Sequence, residues 1–143
     1  MGILTNIVAA DEDELESIVD SLRPVDQWSG IEKRGIDTAK IATLHSLLTG
    51  DEFDLAVSLY EPVAGGEAAI VLRLADEVLE KLAGYEEDAL DAVAAELAAT
   101  EEFEFEGWDE EEVHTLVLEL ADLARIADSQ GQVMFVWMHP LLT

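Results

Sequence analysis

Apolar and polar positions change their period along the chain, which separates strand-like runs from helix-like stripes. Residues 2–9 form a short apolar run rich in β-branched side chains, and this predicts a strand that Asp11 ends. Apolar residues then recur every three or four positions over residues 15–22, which predicts a helix that Pro24 ends. Asp11 and Glu14 have the spacing of a capping box in front of that helix.

The middle of the chain predicts a loop followed by two helices. Residues 23–36 lack a clear period and include two glycines, so we expect a loop there. A helix is predicted over residues 37–49, with an Asp as its N-cap, and Gly50 supplies the left-handed residue that ends it. Residues 51–60 predict a shorter helix, closed by Pro62.

The second half predicts two strands, three helices and one segment that alternates between Phe and Glu. We expect a turn at residues 65–66, a strand at 68–74, and helices at 75–83 and 86–99. Residues 100–107 predict an edge strand or packed loop, residues 109–130 a long helix with a second capping box, and residues 132–138 a final strand. The last strand is apolar on both faces, so we expect it inside a sheet rather than at an edge.

Helices therefore outnumber strands, and the strands are well separated in sequence. This pattern favours an α+β fold with a small mixed or antiparallel sheet packed with about five to six helices. A chain of 143 residues without an internal repeat or linker is most simply a single domain over residues 1–143.

Charge changes the picture more than any motif does. The chain has 33 Asp and Glu against 7 Lys and Arg, a net charge of −26, and only three lysines, at Lys33, Lys40 and Lys81. Every quarter of the chain is negative, and dispersed acidity with few lysines is typical of proteins that work in high salt. The competing interpretation is an acidic interaction surface, densest at residues 101–112, for a partner with a basic surface, as in an immunity-type protein.

The same composition excludes several classes of protein. Phosphate backbones and anionic lipid surfaces would be repelled, so we expect neither a nucleic acid nor a membrane as partner. The N-terminus lacks the basic residues of a secretory signal and no apolar run could span a bilayer, so we expect a cytoplasmic protein. The absence of cysteine excludes disulfides, thiolate zinc sites and a cysteine nucleophile.

Candidate chemistry is limited to the histidines. His45, His114 and His139 lack the spacing of a zinc-binding pair, and no nucleotide-binding or hydrolase motif is present, so no catalytic residue, metal or cofactor is predicted. His45 lies among apolar helix positions and could line a pocket with Trp28 or Tyr60. The alternative is a hydrogen-bonded helix histidine without a ligand. We expect His114 to be solvated.

Two segments resemble the bacterial YfbM-like family of uncharacterised proteins. Residues 36–50 contain Leu44-His45 and then Leu48-Thr49-Gly50, where the family reads Asp, a basic residue, Trp and Leu-His-x-x-Leu-Thr-Gly. Residues 105–108 end in a Trp before a long helix and a closing strand, as they do in the family. The chain departs from the family at Ile41, which replaces the Trp, and over residues 51–67, which are short.

The resemblance implies a compact α+β domain but supplies no activity. It directs attention to His45 together with Thr49 and Asp51 as a shared site. The sequence thus favours a non-catalytic cytoplasmic domain with a surface adapted to high salt, as a monomer or small homo-oligomer. Two alternatives stay open: an acidic interaction protein of the immunity type, and a small-molecule-binding domain or weak enzyme with a pocket at His45.

Overall fold

A five-stranded antiparallel sheet and seven α-helices make up the computed structural model, which describes residues 3–21, 23–65 and 69–139. The strands are β1 (Leu4–Ala10), β2 (Gly30–Arg34), β3 (Ala64–Gly65), β4 (Ile70–Arg73) and β5 (Val133–His139). The helices are α1 (Leu15–Asp20), α2 (Thr38–Thr49), α3 (Phe53–Leu59), α4 (Asp76–Gly84), α5 (Glu87–Ala98), α6 (Glu101–Glu104) and α7 (Glu110–Gln130). Short 3₁₀ turns occupy Glu12–Glu14 and Pro24–Asp26.

The strand order in the sheet is β2-β1-β5-β4-β3, so β5 lies at its centre. It pairs along its whole length with β1, in a register that joins Leu4 to His139 and Ala10 to Val133, and on its other side with β4. Central strands are covered on both faces, which explains why β5 is apolar at nearly every position. The prediction that this strand is internal is confirmed, as is the α+β class.

Two apolar layers form on opposite faces of the sheet. On one face, Ile7, Val136 and their neighbours pack under α2, α4, α5 and α7, and this layer holds most of the core. On the other face, Phe135 and Trp137 are covered by Ile18 of α1 and by the chain around Trp28. The sheet alternates side chains between the two layers, as the two-residue period of a strand requires.

The ends of the long helices follow the predicted capping chemistry. The Asp109 carboxylate accepts from the Glu112 amide at 2.7 Å, and Glu112 returns a contact to the Asp109 amide, which completes the capping box of α7. Gly131 closes that helix in the left-handed conformation (φ 67°), and Gly50 does the same for α2 (φ 83°). No helix in the described ranges is both long and apolar enough to cross a membrane.

Two predicted segments differ from the structure. The loop over residues 23–36 contains β2, a polar edge strand whose order comes from its pairing with β1 rather than from its own pattern. The edge strand or packed loop over residues 100–107 contains the one-turn helix α6 instead, because Phe103 turns into the core while Phe105 is 92% exposed. Of the predicted turn at residues 65–66, Gly65 lies in β3. Four residues of predicted elements lie outside the described residues: Gly2, Leu22, Gly66 and Ala68.

Candidate functional site

His45 lies on α2 with only 2% of its surface exposed. Its Nε2 atom is 2.8 Å from Asp51 Oδ2, and its Nδ1 atom is 2.9 Å from the Tyr60 hydroxyl. The His45 and Tyr60 rings meet edge to face, with centroids 5.4 Å apart. Both ring nitrogens of this histidine are therefore occupied inside the protein.

The turn after α2 brings Asp51 back to His45. Gly50 takes the left-handed conformation and reverses the chain, and the Thr49 hydroxyl donates to the His45 carbonyl at 2.8 Å. The Asp51 amide donates to that same hydroxyl at 3.2 Å. The structure thus brings together four of the five residues predicted from the sequence: His45, Thr49, Asp51 and Tyr60.

Trp28, the fifth residue, does not belong to this group. It packs in the apolar layer on the opposite face of the sheet, whereas Tyr60 belongs to the layer under the helices. Its indole Nε1 donates to a Glu14 carboxylate oxygen at 2.9 Å. This bond, together with one from the Asp11 amide, lowers the pKa of Glu14. Trp28 is therefore a covering residue for the second layer and not part of a pocket with His45.

The hydrogen bonds around Tyr60 and Asp51 fit the tautomer of His45 that has its proton on Nε2. The Ala75 amide donates to the Tyr60 oxygen at 3.3 Å, so the hydroxyl hydrogen is free to donate to His45 Nδ1. The Nε2–H then donates to Asp51, and every polar hydrogen of the group has an acceptor. Burial raises the pKa of Tyr60 to about 12, which keeps the phenol protonated. His45 connects α2, the end of α3 and the segment before α4.

The other two histidines differ in their surroundings. His114 Nε2 lies 2.5 Å from Asp91 Oδ1 and connects α7 to α5 at the surface, so it is half-buried and paired rather than simply solvated. His139 is half-buried at the end of β5. Within the ranges that the structure describes, no cluster of His, Asp or Glu could hold a metal ion.

A groove of about 660 Å³ opens between the start of α2 and α6. We call it the acidic groove, and it is lined by Asp37, Ala39, Lys40, Glu101, Glu102, Glu104, Phe105 and Glu106. The ammonium of buried Lys40 contacts the Glu106 carboxylate and lies 3.8 Å from Asp37 and 5.8 Å from the centre of the Phe103 ring. The Thr43 hydroxyl donates to Glu102 at 2.9 Å. Two of the groove's carboxylates, Glu102 and Glu106, thus hold α2 to the segment around α6, while Asp37 pairs with Lys40 within the start of α2.

Sequence reasoning did not assign a role to Lys40. Its position between Ile36 and Leu44, at four-residue spacing on the inward side of α2, is the signal that indicates burial. A lysine buried at such a position requires carboxylate partners, and Glu106 and Asp37 provide them. The densest acidic segment of the chain is partly explained by this internal cation.

Exposed apolar side chains are concentrated on α3 and the turn that follows it. Among the described residues, seven large apolar side chains are classed as exposed, and five of them lie between residues 53 and 63. We call these five the α3 surface: Phe53, Leu55, Val57, Leu59 and Val63, each between 37% and 55% exposed. The other two, Phe105 and Ile126, lie on other elements.

The sequence did not reveal the α3 surface because its pattern suits neither a stripe nor a core. Apolar residues at 53, 55, 57 and 59 recur every second position, and a helix places such residues on two opposite flanks instead of one stripe. Only Ala56 of α3 is buried. The surrounding polar residues are Glu52, Asp54 and Glu61, and the segment from residue 50 to residue 65 contains no Lys or Arg.

Comparison with known proteins returns a likeness of fold alone. No protein-family model matches the chain, and no curated protein matches it. It is similar to a solved structure described as a protein of unknown function, YfbM from Escherichia coli, with a TM-score of 0.45 and 13% identity, over 94% of this chain and 99% of that one. The fold class rests on the strands and helices themselves.

Proposed function

We propose that this protein is a non-catalytic interaction domain that binds a protein partner through the α3 surface and works in a high-salt cytoplasm. The observation that carries the proposal is the concentration of five exposed apolar side chains within eleven residues of an otherwise acidic chain. Single exposed apolar residues are normal on proteins, but five of them within one short segment favour an interaction site. Covering such a group removes apolar surface from water, which favours association.

The high-salt part of the proposal is supported by where the charges lie. The buried polar residues of the described ranges are Thr5, Asn6, Lys40, Thr43 and His45, so no carboxylate lies in the core. Exposed acids lie on six of the seven described helices, all except α2, which spreads the charge over several faces of the molecule rather than one. At molar salt the Debye length is about 3 Å, so long-range attraction is screened and apolar contact becomes the better basis for recognition.

His45 is not assigned a catalytic role in this proposal. Both of its ring nitrogens bond within the protein, and its surface is almost completely covered. A general base needs a nitrogen within reach of the proton that it removes from a ligand. The hydrogen bonds instead support a role in holding α2, α3 and α4 together, which fixes the position of the α3 surface.

Site-specific photo-cross-linking tests the proposal. A photoreactive amino acid would replace Leu55 on the α3 surface in one variant and Ile126 on α7 in a matched control, since both positions are exposed and apolar. Irradiation of cells that make the protein should yield a cross-link from position 55 to one discrete polypeptide, and none from position 126. Equal cross-linking from both positions, or none from position 55, would contradict the proposal.

A further inference from the structure

We infer that the partner covering the α3 surface is a protein groove with apolar walls and a Lys or Arg side chain at its floor. This inference rests on the proposed function and names the chemistry of the partner. It depends on where the side chains of α3 lie around the helix axis. At about 100° per residue, Phe53 and Val57 lie on one side of buried Ala56, and Leu55 and Leu59 lie on the other.

The outermost ridge of α3 is polar. Asp54 and Ser58 lie opposite Ala56 on the helix, between the two apolar flanks, and both are exposed. Ser58 already donates to the Leu55 carbonyl at 2.6 Å, so its hydroxyl has a partner within the helix. A partner that contacts both flanks must pass over this ridge and bury the Asp54 carboxylate with it.

A buried carboxylate requires a cation or several hydrogen-bond donors. Leaving Asp54 unpaired in a closed interface would cost much of what the apolar contact supplies. The segment from residue 50 to residue 65 contains no Lys or Arg, and among the described residues Asp54 takes part in no ion pair, so we assign the cation to the partner. Glu52 and Glu61, also exposed, extend the same requirement to the rim of the interface.

Charge also discriminates against two other occupants. In a two-fold dimer the same surface meets itself, so two acidic ridges would face each other with no cation from either segment. A lipid surface would place Asp54 against acyl chains and anionic headgroups. Salt does not remove these penalties, because a closed interface excludes water and ions from around the carboxylate.

Two amphipathic helical peptides test the inference by fluorescence anisotropy in 1 M KCl, where non-specific attraction to the acidic surface is screened. One places a line of lysines between two lines of leucines on the same face, and its matched control has glutamine in place of lysine. We expect the lysine peptide to bind the unaltered protein at least about tenfold more tightly than the glutamine peptide. Asp54→Asn should remove that difference, while Asp88→Asn, an exposed acid on α5, should keep it.

The remaining variants separate failure of this inference from failure of the proposed function. If Leu55→Ser/Leu59→Ser does not weaken binding while Ile126→Ser also has no effect, the α3 surface is not the binding surface and the proposed function fails. If both peptides bind equally and Asp54→Asn changes neither affinity, the proposal of binding through the α3 surface survives, but the inferred Lys or Arg in the partner's groove is wrong. Absence of lysine-peptide binding to the unaltered protein, a dimer that Leu55→Ser/Leu59→Ser dissociates, or binding to phosphatidylglycerol vesicles would each overturn the inference.

Discussion

At the scale of single residues, His45 shows how a polar side chain can organise an apolar layer. Nδ1 accepts a hydrogen bond from the Tyr60 hydroxyl and Nε2 donates one to Asp51, so the buried imidazole has no unsatisfied nitrogen. Three segments separated in sequence are joined at one ring. The bond to Tyr60 is the connection that reaches furthest, because the Tyr60 oxygen also accepts from the Ala75 amide.

Tyr60→Phe should lower the free energy of unfolding at neutral pH by roughly 1–3 kcal/mol, because the Ala75 amide and His45 Nδ1 lose their buried partner. Urea titration measures this change. Tyr85→Phe is the matched control, since the Tyr85 side chain takes no part in the His45 hydrogen bonds. A loss of the same size in both variants would contradict a specific role for the Tyr60 hydroxyl.

The same substitution should alter the response to alkaline pH. Burial raises the pKa of Tyr60 from 10.0 to about 12, so over this window the unfolded chain loses the phenol proton before the folded one does. The folded state then binds more protons, and stability falls as pH rises. Tyr60→Phe lacks this contribution, so its unfolding free energy should decline less steeply from pH 10 to 12. Parallel declines would show that the phenol does not contribute.

The sequence predicted some of the residues around His45 better than others. Thr49 and Asp51 are close to His45 because a left-handed glycine reverses the chain, and that local geometry was readable from Gly50. Tyr60 depends on the length of α3, which the flanking proline helped to place. The position of Trp28 could not be predicted, because the sequence around it does not indicate which face of the sheet its loop covers.

At the scale of elements, the sequence specified those whose order is set locally. The Asp37 N-cap and Gly50 placed α2, the capping box and Gly131 placed α7, and the two-sided apolar pattern predicted that β5 lies inside the sheet. β2 was missed because a polar edge strand is ordered by the backbone of its neighbour. α6 was missed because Phe and Glu alternate over residues 103–106 as in a strand, where Phe103 and Phe105 would share one face; the helical turn instead buries Phe103 and exposes Phe105.

Gly30→Ala should destabilise the protein by about 1–3 kcal/mol, because β2 approaches β1 so closely at this residue that a side chain has no room. A Cβ atom placed there would lie 2.4 Å from the Ile7 carbonyl oxygen and 2.6 Å from Val8 Cγ1. Thermal unfolding followed by circular dichroism measures the change. A variant as stable as the unaltered protein would contradict the close approach of the two strands.

Gly84→Ala provides the matched control for that substitution. Gly84 is the last residue of α4, and a Cβ atom there would meet no heavy atom within 4 Å. Alanine restricts the unfolded chain more than glycine does, so this variant should be more stable by about 0.5–1 kcal/mol. If Gly30→Ala lowers the unfolding free energy while Gly84→Ala raises it, the loss at Gly30 comes from the steric clash and not from the general effect of replacing a glycine.

At the scale of the whole molecule, the net charge of −26 acts against the compact state. Raising KCl from about 0.1 to 2 M should increase the free energy of unfolding steeply, because the Debye length falls from about 10 Å to 3 Å or less. Urea titrations at each salt concentration measure the slope. An unfolding free energy that does not change with salt would contradict adaptation to a high-salt cytoplasm.

A variant with fewer surface charges gives the control for the salt dependence. Four exposed carboxylates can be changed together to glutamine, which removes their charge and nearly keeps their size: Glu101, Glu104, Glu110 and Glu111. This variant should show a shallower rise with salt, whereas aspartate at the same four positions should keep the original slope. Equal slopes in the two variants would show that surface repulsion is not what the salt relieves.

The order of strands has a consequence for how the chain folds as it is made. Residues 4–10 pair with residues 133–139, so the first and last described strands are neighbours at the centre of the sheet. Only β5 connects the pair β1 and β2 with the pair β3 and β4. All seven helices leave the ribosome before β5 does, and they wait for the strand that completes their apolar layer.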